Sequence, residues 1–306
     1  MTAMFRIGVD LGGTKIEAAA IDDDGVIRMR RRVATPTGDY DATIAVVAAL
    51  VRAIEVKLGA ELTVGIGIPG TLAAGTGLVK NANSTWLIGR PLGRNLEAAL
   101  ARPVRLANDA NCFALSEASD GAAAGCNSVF GVILGTGVGG GVVIGGRIVV
   151  GANAIAGEWG HNPLPWPRAD ELPGPRCYCG QSGCIETFLS GPGLAADHKR
   201  HGSGELDGAR IVAGATSGDA ACRATLDRYV ERLARGLASV INIFDPTAIV
   251  LGGGLSAIDE LYETVPRLWG RHVFSNEVVT RLLPPRHGDS SGVRGAAWLW
   301  QPGETP

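Results

Sequence analysis

The stretch FRIGVDLGGTKIEAAAIDDDGVIRMRRRV (residues 5–33) decides the fold. Phe5 to Val9 is an apolar run that reads as a strand. A Gly-Gly turn follows, then a second strand through Ile16 to Ile21. The acidic turn DDDG (22–25) begins a third, so the segment predicts three antiparallel strands. The layout restarts at Ser128, where SVFGVILGTGVGGGVVIGGRIVVG (128–151) again reads strand, glycine turn, strand, glycine turn, strand. The residues of the two triplets differ but the plan is the same, and two related α/β halves would explain it.

Between the triplets the spacing predicts a helix over 40–58, with Ile44, Val47, Val51 and Ile54 on its apolar face. TVGIGIPG (63–70) is a buried strand ending in a Pro-Gly turn. ARPVRLANDANCFALSEA (101–118) gives a short strand, a polar break at Asn108 and Asp109, and a helix. Further on, helices are expected over much of 220–242, a buried strand and glycine turn in TAIVLGGGLS (247–256), and a last helix near 290–300. The expected domains are 1–120, with the C-terminal segment 290–306 packing on it, and a larger one over 121–289. The hinge between them is expected near 118–127.

Composition narrows the function classes. The chain has 306 residues, formal net charge −2 and 45 glycines. The near-neutral balance gives no basic field for nucleic acid. The glycines fall in short clusters bounded by Val/Ile-rich runs, which fits backbone approached closely by a ligand. The start, MTAMFRIGVDLGG, has no basic region followed by an apolar core, so a reducing, cytoplasmic setting is expected. Residues 121–146 carry no charged side chain, yet their glycine spacing reads as strands rather than a membrane span.

Five motifs carry chemistry. In DLGGTK (10–15), Gly12 and Gly13 let amides approach a phosphate, Thr14 and Lys15 add a hydroxyl and a charge, and Asp10 can hold magnesium through water. Alone, the motif reads more readily as an ordinary hairpin turn. It is not a Walker A loop, since TK replaces K[ST] and no helix follows. LGTGVGGG (134–141) contains G-x-G-x-x-G, but a strand follows it, so a dinucleotide site is rejected. A second phosphate-facing turn fits, with Gly135, Thr136 and Gly137. LGGGLS (251–256) offers a glycine wall at Gly253 and Gly254 and a helix start. The pair Asn108–Asp109 reads as a helix cap, and Asp109 is also suited to accept a proton from a hydroxyl.

The last motif is GEWGH…CYCGQSGCIE. His161, Cys177, Cys179 and Cys184, spaced H-x15-C-x-C-x4-C, make a complete tetrahedral zinc shell with no open position, hence a structural metal. The alternatives are a disulfide or unrelated thiols. Cys177 and Cys179 pair poorly with each other, being separated by one residue. Glu158 and Glu186 flank the cluster and can hold a polar ligand. Cys112, Cys126 and Cys222 read as ordinary buried thiols, and His198, His201, His272 and His287 as surface residues.

Together DLGGTK, GIPG, KNANSTW, LANDAN, GTGVGGG, GEWGHNPLPW, CYCGQSGCIET and IVLGGG resemble the ROK family of sugar kinases, over nearly the whole chain. GEWGHNPLPW and HGDSSGVRGAAWLW look like its bacterial fructokinase branch. The resemblance implies an α/β fold of the actin-like ATPase (ribonuclease H-like) class, two domains flanking a cleft, and a structural zinc site. It implies ATP, Mg2+ and transfer of the γ-phosphoryl group to the 6-hydroxyl of D-fructose. N-acetylglucosamine, mannose or glucose are the alternative acceptors. Carried over by motif, Asp109 is the base. Asn108, Glu158, Glu186 and His161 are sugar ligands, with Gly70 and Asn81 lining the cleft. Asp10, Gly12, Gly13, Thr14, Lys15, Gly135, Thr136 and Gly137 serve the phosphates, and Gly253 and Gly254 the adenosine. A homodimer is implied, and neither nucleic acid nor a membrane as partner. A sugar-responsive transcriptional regulator of the same family would need a helix-turn-helix module before the first strand, and residues 1–4 leave no room for one.

Overall fold

The computed structural model describes residues 5–202 and 204–305. Residues 1–4, on which the readings of a missing leader and a missing helix-turn-helix module rest, lie outside the described residues. In chain order, β1 (Arg6–Leu11), β2 (Lys15–Ile21) and β3 (Ile27–Ala34) form the antiparallel triplet expected from the opening stretch. Then come α1 (Tyr40–Leu58), β4 (Thr63–Ile68), the short hairpin β5 (Thr71–Leu72) and β6 (Val79–Lys80), α2 (Leu92–Leu100), β7 (Arg105–Asn108) and α3 (Asp109–Ser119). The second triplet is β8 (Ser128–Leu134), β9 (Val138–Ile144) and β10 (Arg147–Ile148). After it lie α4 (Glu186–Leu189), α5 (Gly191–Arg200), α6 (Gly208–Thr216), α7 (Ala220–Phe244), β11 (Ala248–Gly252), α8 (Glu260–Trp269), β12 (Arg281–Leu283) and α9 (Ser291–Ala297).

The two five-stranded sheets share one plan. The first runs β3-β2-β1-β4-β7 and the second β10-β9-β8-β11-β12. In each, an antiparallel meander continues into parallel strands, β1 with β4 and β4 with β7 in the first, β8 with β11 and β11 with β12 in the second. Such repeated α/β halves define the actin-like ATPase fold, and the repeat was legible as the two glycine-punctuated triplets. Among the described residues no helix is long and apolar enough to cross a membrane, and the uncharged run at 121–146 is mostly strand.

The chain divides into two compact units. One comprises Met1–Gly125, Gly141–Ala156 and Arg286–Pro306, the other Cys126–Gly140 and Gly157–Pro285. In the first unit β1 and β4 are buried along their length, and Val47, Val51 and Ile54 of α1 pack into their core. The edge strand β3 is rich in arginine, and Arg30 and Arg32 pair with the buried Glu17 on β2. Charge on an edge strand discourages pairing with another chain.

α9 sits directly on this sheet and on α3. A Cβ on Gly8 would lie 1.9 Å from the Val293 carbonyl oxygen, and one on Gly295 would lie 1.7 Å from that of Cys112. Only hydrogen fits at such distances, so the helix rests on bare backbone. α9 ends at Ala297, three residues short of the expected end near 300. The expected helix after LGGG is likewise only a 3-10 turn, Gly254–Ala257. His198 overturns its expected surface position, being 1 % exposed with Nδ1 2.9 Å from the Thr225 hydroxyl. His272 and His287 are half-buried rather than free. Cys112 and Cys222 are buried thiols as expected, whereas Cys126 is half-buried.

Candidate active site and metal centre

In the first unit the chemistry gathers where β1 and β7 end. The turn after β1 closes with the Gly12 amide donating to the Lys15 carbonyl at 3.0 Å. The Thr35 hydroxyl donates to the Gly12 carbonyl at 2.7 Å, and the Thr35 amide to that of Thr14 at 3.0 Å. These bonds turn the loop's carbonyls inward. Gly13 and Thr14 remain exposed, as a phosphate-facing loop requires.

Asp10, next to last in β1, is half-buried. Burial pushes its carboxyl up to about 6, helped by the negative charge of Asp109 and Glu17, with Lys15 and Arg32 opposing. α9 begins against this carboxylate, where a Cβ on Gly292 would lie 2.9 Å from Asp10 Oδ2. A crowded acid with a second carboxylate in electrostatic reach is short of positive charge. Hard oxygen donors of this kind fit a magnesium ion.

Asp109 is the first residue of α3. Its Oδ1 accepts from the Ala110 amide at 2.8 Å, and Asn108 Oδ1 accepts from the same amide at 2.9 Å. Asn108 is therefore the helix cap that local sequence suggested, with its Nδ2 donating to the Gly70 carbonyl at 3.0 Å. Gly70 has φ +79°, and a Cβ there would lie 2.4 Å from the Lys80 carbonyl oxygen. Asn81 follows with φ +56°. Gly70, Asn81 and Asn108 are thus brought together around the β5–β6 hairpin. Asp109 is open to water by accessible surface, although protein atoms crowd it densely. Accessibility decides that a substrate can reach it, while the crowding raises its pKa through desolvation, against the lowering effect of the hydrogen bonds at the helix start.

The second unit holds the other phosphate-type turn. The Gly135 amide donates to the Gly137 carbonyl at 3.0 Å, and the Gly191 amide to the Gly135 carbonyl at 2.8 Å. A cavity of about 590 Å³ opens beside it, lined by Gly135, Thr136, Gly191, Pro192, Gly208, Ala209, Val212, Gly254, Leu255, Ala257 and Ile258. This volume suits a nucleoside-sized ligand. Sequence reading found Gly135, Thr136 and Gly254. It missed the walls from α5 and α6, whose residues look like ordinary helix starts. Gly253 turns the chain out of β11 with φ +81° and is not among the lining residues.

Glu186 opens α4, and its Oε2 accepts from the Val138 amide at 2.9 Å. A Cβ on Gly137 would lie 2.7 Å from that oxygen, so the glycine makes room for the carboxylate. Glu158 precedes the 3-10 turn Trp159–His161 and is exposed. Burial raises the pKa of the Tyr178 phenol, and the negative charges of both glutamates add to that.

His161, Cys177, Cys179 and Cys184 converge, with their donor atoms all within 4.8 Å of one another. Cys177 Sγ is 3.6 Å from His161 Nδ1, and Cys179 Sγ is 3.6 Å from Cys184 Sγ. A disulfide needs about 2.05 Å. The edge of a tetrahedron built on a Zn–S bond of about 2.3 Å is about 3.8 Å. All six cysteines are free, so the disulfide alternative falls. Cys184 is pushed up to about 12 by burial and the neighbouring sulfurs. The exposed Cys179 is held below the usual thiol range, chiefly by an amide hydrogen bond from Gln181. Three sulfurs gathered with one imidazole nitrogen fit a zinc ion.

The segment between His161 and Cys177 is anchored by charges that the sequence did not single out. Arg235 donates to the Trp166 carbonyl at 2.6 Å and pairs with Glu171 at 2.7 Å. Arg232 bridges Glu171 and Asp197, at 2.7 and 2.8 Å. All four side chains are buried.

The sequence signature of the ROK family matches residues 6–302. An N-acetyl-D-glucosamine kinase of Vibrio cholerae is 40 % identical over 296 residues, 95 % of this chain and 98 % of the relative. The crystal structure of a ROK hexokinase from Thermus thermophilus is similar with TM-score 0.85 and 34 % identity, covering 97 % of each chain. A ROK family glucokinase from Streptomyces griseus, in complex with glucose and AMPPNP, is similar with TM-score 0.75 and 29 % identity, over 98 % of this chain and all of the other.

Proposed function

The chain belongs to the ROK family, as one of its sugar kinases, and from that premise we propose that it transfers the γ-phosphoryl group of ATP to the 6-hydroxyl of a hexose. The observation that carries this reading is Asp109, a reachable carboxylate fixed at the start of α3 with Asp10 in electrostatic reach.

In the proposed reaction Asp109 accepts the proton of the sugar 6-hydroxyl as that oxygen attacks the γ-phosphorus. The bond to the β-phosphate oxygen breaks, and ADP leaves. Gly12, Gly13, Thr14 and Lys15 serve the phosphates, as do Gly135, Thr136 and Gly137 beside the nucleoside-sized cavity. Gly254, with Gly253 turning the chain before it, forms part of the adenosine wall. Asp10 would hold magnesium through water, and when bound that ion supplies charge neutralisation at the phosphates. Asn108, Glu158 and Glu186 hold sugar hydroxyls, with His161 beside the sugar and Gly70 and Asn81 beside Asn108. His161, Cys177, Cys179 and Cys184 would hold zinc, which supplies bracing rather than chemistry.

For the acceptor, relatives named N-acetyl-D-glucosamine kinase, 40–41 % identical over nearly their full length, favour N-acetylglucosamine over the fructose first expected. Fructose stays as the second reading, on the fructokinase-like stretches GEWGHNPLPW and HGDSSGVRGAAWLW. Coupled ADP release with N-acetylglucosamine, fructose, glucose and mannose tests both. The expected outcome is the largest kcat/KM with N-acetylglucosamine. A larger value with fructose reinstates the second reading, and no turnover with any hexose removes the kinase assignment.

A further inference from the structure

Tyr178 stands between two proposed zinc ligands, Cys177 and Cys179, and sequence reading gave it no role. Its side chain folds back across the cluster. The phenol oxygen is 3.0 Å from His161 Nε2, and the two rings meet edge to face at 5.1 Å. The other ring nitrogen of His161, Nδ1, is the one turned to Cys177 Sγ, at 3.6 Å. The imidazole is thus divided, with Nδ1 facing the sulfurs and Nε2 facing the phenol. The tyrosine is 82 % exposed, so it is not there to fill a core.

We propose that Tyr178 is the positioning residue for the metal, its hydroxyl accepting the Nε2–H of His161 and so leaving Nδ1 as the ligand atom. The inference rests on the zinc reading above. A neutral imidazole carries one N–H, and whichever nitrogen donates cannot ligate. The hydrogen bond selects the tautomer and the ring orientation together, as the outer partners of metal-bound histidines do.

The placement adds a second effect. Tyr178 is flanked in the chain by two ligands, while His161 belongs to a different turn, so the bond joins the two halves of the ligand set. Backbone bonds make the same connection nearby, from the Ile185 amide to the Asn162 carbonyl and from the Leu164 amide to the Gly183 carbonyl, both at 2.8 Å. Those bonds fix the backbones of the two turns, but the imidazole still rotates about its own side-chain bonds. Tyr178 is what restrains that rotation.

The test is Tyr178→Phe, which removes one oxygen and keeps the ring, with Gln181→Ala as a control change in the same loop. Zinc affinity is measured by competition with a chromophoric chelator. The exchangeable Nε2–H of His161 is followed by NMR in the cobalt-loaded full chain. Tyr178→Phe is expected to weaken zinc roughly tenfold, the low end for an outer partner since water can replace an exposed phenol. The Nε2–H signal is expected to broaden through faster exchange with solvent. Wild-type zinc affinity and an unchanged Nε2–H signal in Tyr178→Phe overturn the proposal. An equal loss of affinity in both variants also overturns it, since the effect would then be a general loosening of the loop. Wild-type protein that binds no zinc removes the underlying metal reading instead, and is told apart by the metal content of the unmodified chain.

Discussion

Asp109→Asn separates the proposed base from the scaffold that holds it. The Ala110 amide has two acceptors, Asp109 Oδ1 at 2.8 Å and Asn108 Oδ1 at 2.9 Å. An asparagine keeps an oxygen in place of the first and leaves the second untouched, so the start of α3 persists. Losing a negative charge at a helix start costs about 0.3–1 kcal/mol. Removing a carboxylate that acts unfavourably on Asp10 offsets part of that. Stability should therefore move by less than about 1 kcal/mol. Turnover should not be spared. A positioned general base contributes about 10²- to 10⁴-fold, which is roughly 2.7–5.4 kcal/mol of barrier. The expected variant has KM within a few-fold of wild type and kcat lower by that factor.

The pH profile sharpens the same experiment. Crowding holds the Asp109 carboxyl above its ordinary range, and the base works only when ionised. Wild-type kcat/KM should therefore fall as pH drops through an apparent pKa above about 4, the ordinary carboxylate value. In Asp109→Asn that limb disappears. Any remaining acid limb belongs to Asp10 and lies below its wild-type value of about 6, because one of the charges raising it is gone. Coupled ADP release from pH 4 to 9 reads both quantities. A variant with near-wild-type kcat, or with the wild-type acid limb intact, refutes the assignment of the base.

Three further outcomes follow from distances in the structure. Gly137→Ala brings a Cβ 2.7 Å from Glu186 Oε2, the end of a flexible side chain. It should raise the sugar KM roughly tenfold, the loss of a charge-assisted contact, and leave Tm unchanged. Gly295→Ala meets the Cys112 carbonyl oxygen at 1.7 Å, where backbone must move. Thermal unfolding should show a loss of roughly 1–3 kcal/mol or more from overpacking. Glu171→Ala leaves Arg232 and Arg235 buried and short of a partner, at roughly 3–5 kcal/mol measured by denaturant titration. Burial pushes Glu171 up, but Arg232 and Arg235 outweigh it and hold it below the usual carboxylate range. Its stabilisation is therefore full above about pH 4.5, the ordinary glutamate value, and is lost as pH falls through the lowered value. That acid-side loss should be weaker in the variant.

The sequence carried the repeated half because its signal is local. Glycine turns between Val/Ile runs fix three strands without reference to the rest of the chain, and both triplets form as read. The His161, Cys177, Cys179 and Cys184 cluster was legible for the same reason, since the close spacing of the three cysteines is itself local. What escaped reading depends on distant residues. Gly292 matters only because α9 starts against Asp10, 282 positions earlier in the chain. Glu117 looks like a solvent-facing helix residue, yet it is fully buried. It accepts from the Arg286 amide at 3.0 Å and from the Ser291 hydroxyl at 3.0 Å, fixing the turn into α9. His198 sits among the polar residues DHKR, a context that suggests surface. Helical spacing nevertheless turns it inward, onto Thr225 of α7.

The position of the proposed zinc ligands in the chain explains how a closed metal site would bear on a sugar. Cys184 is two residues before Glu186, and His161 is three residues after Glu158. Each proposed sugar carboxylate therefore leaves the backbone within one turn of a metal donor. The intervening residues have little freedom, since the Ile185 amide is bonded to the Asn162 carbonyl and Cys184 bridges Pro163. A shift of the cluster is passed on to both proposed carboxylates through this short stretch of backbone, whereas Asp109 and Asp10 lie far from it in the chain, in the other compact unit. Loss of metal should accordingly appear in sugar KM before it appears in the pH profile of kcat. The reverse order would mean that the cluster braces the fold as a whole rather than the carboxylates beside it.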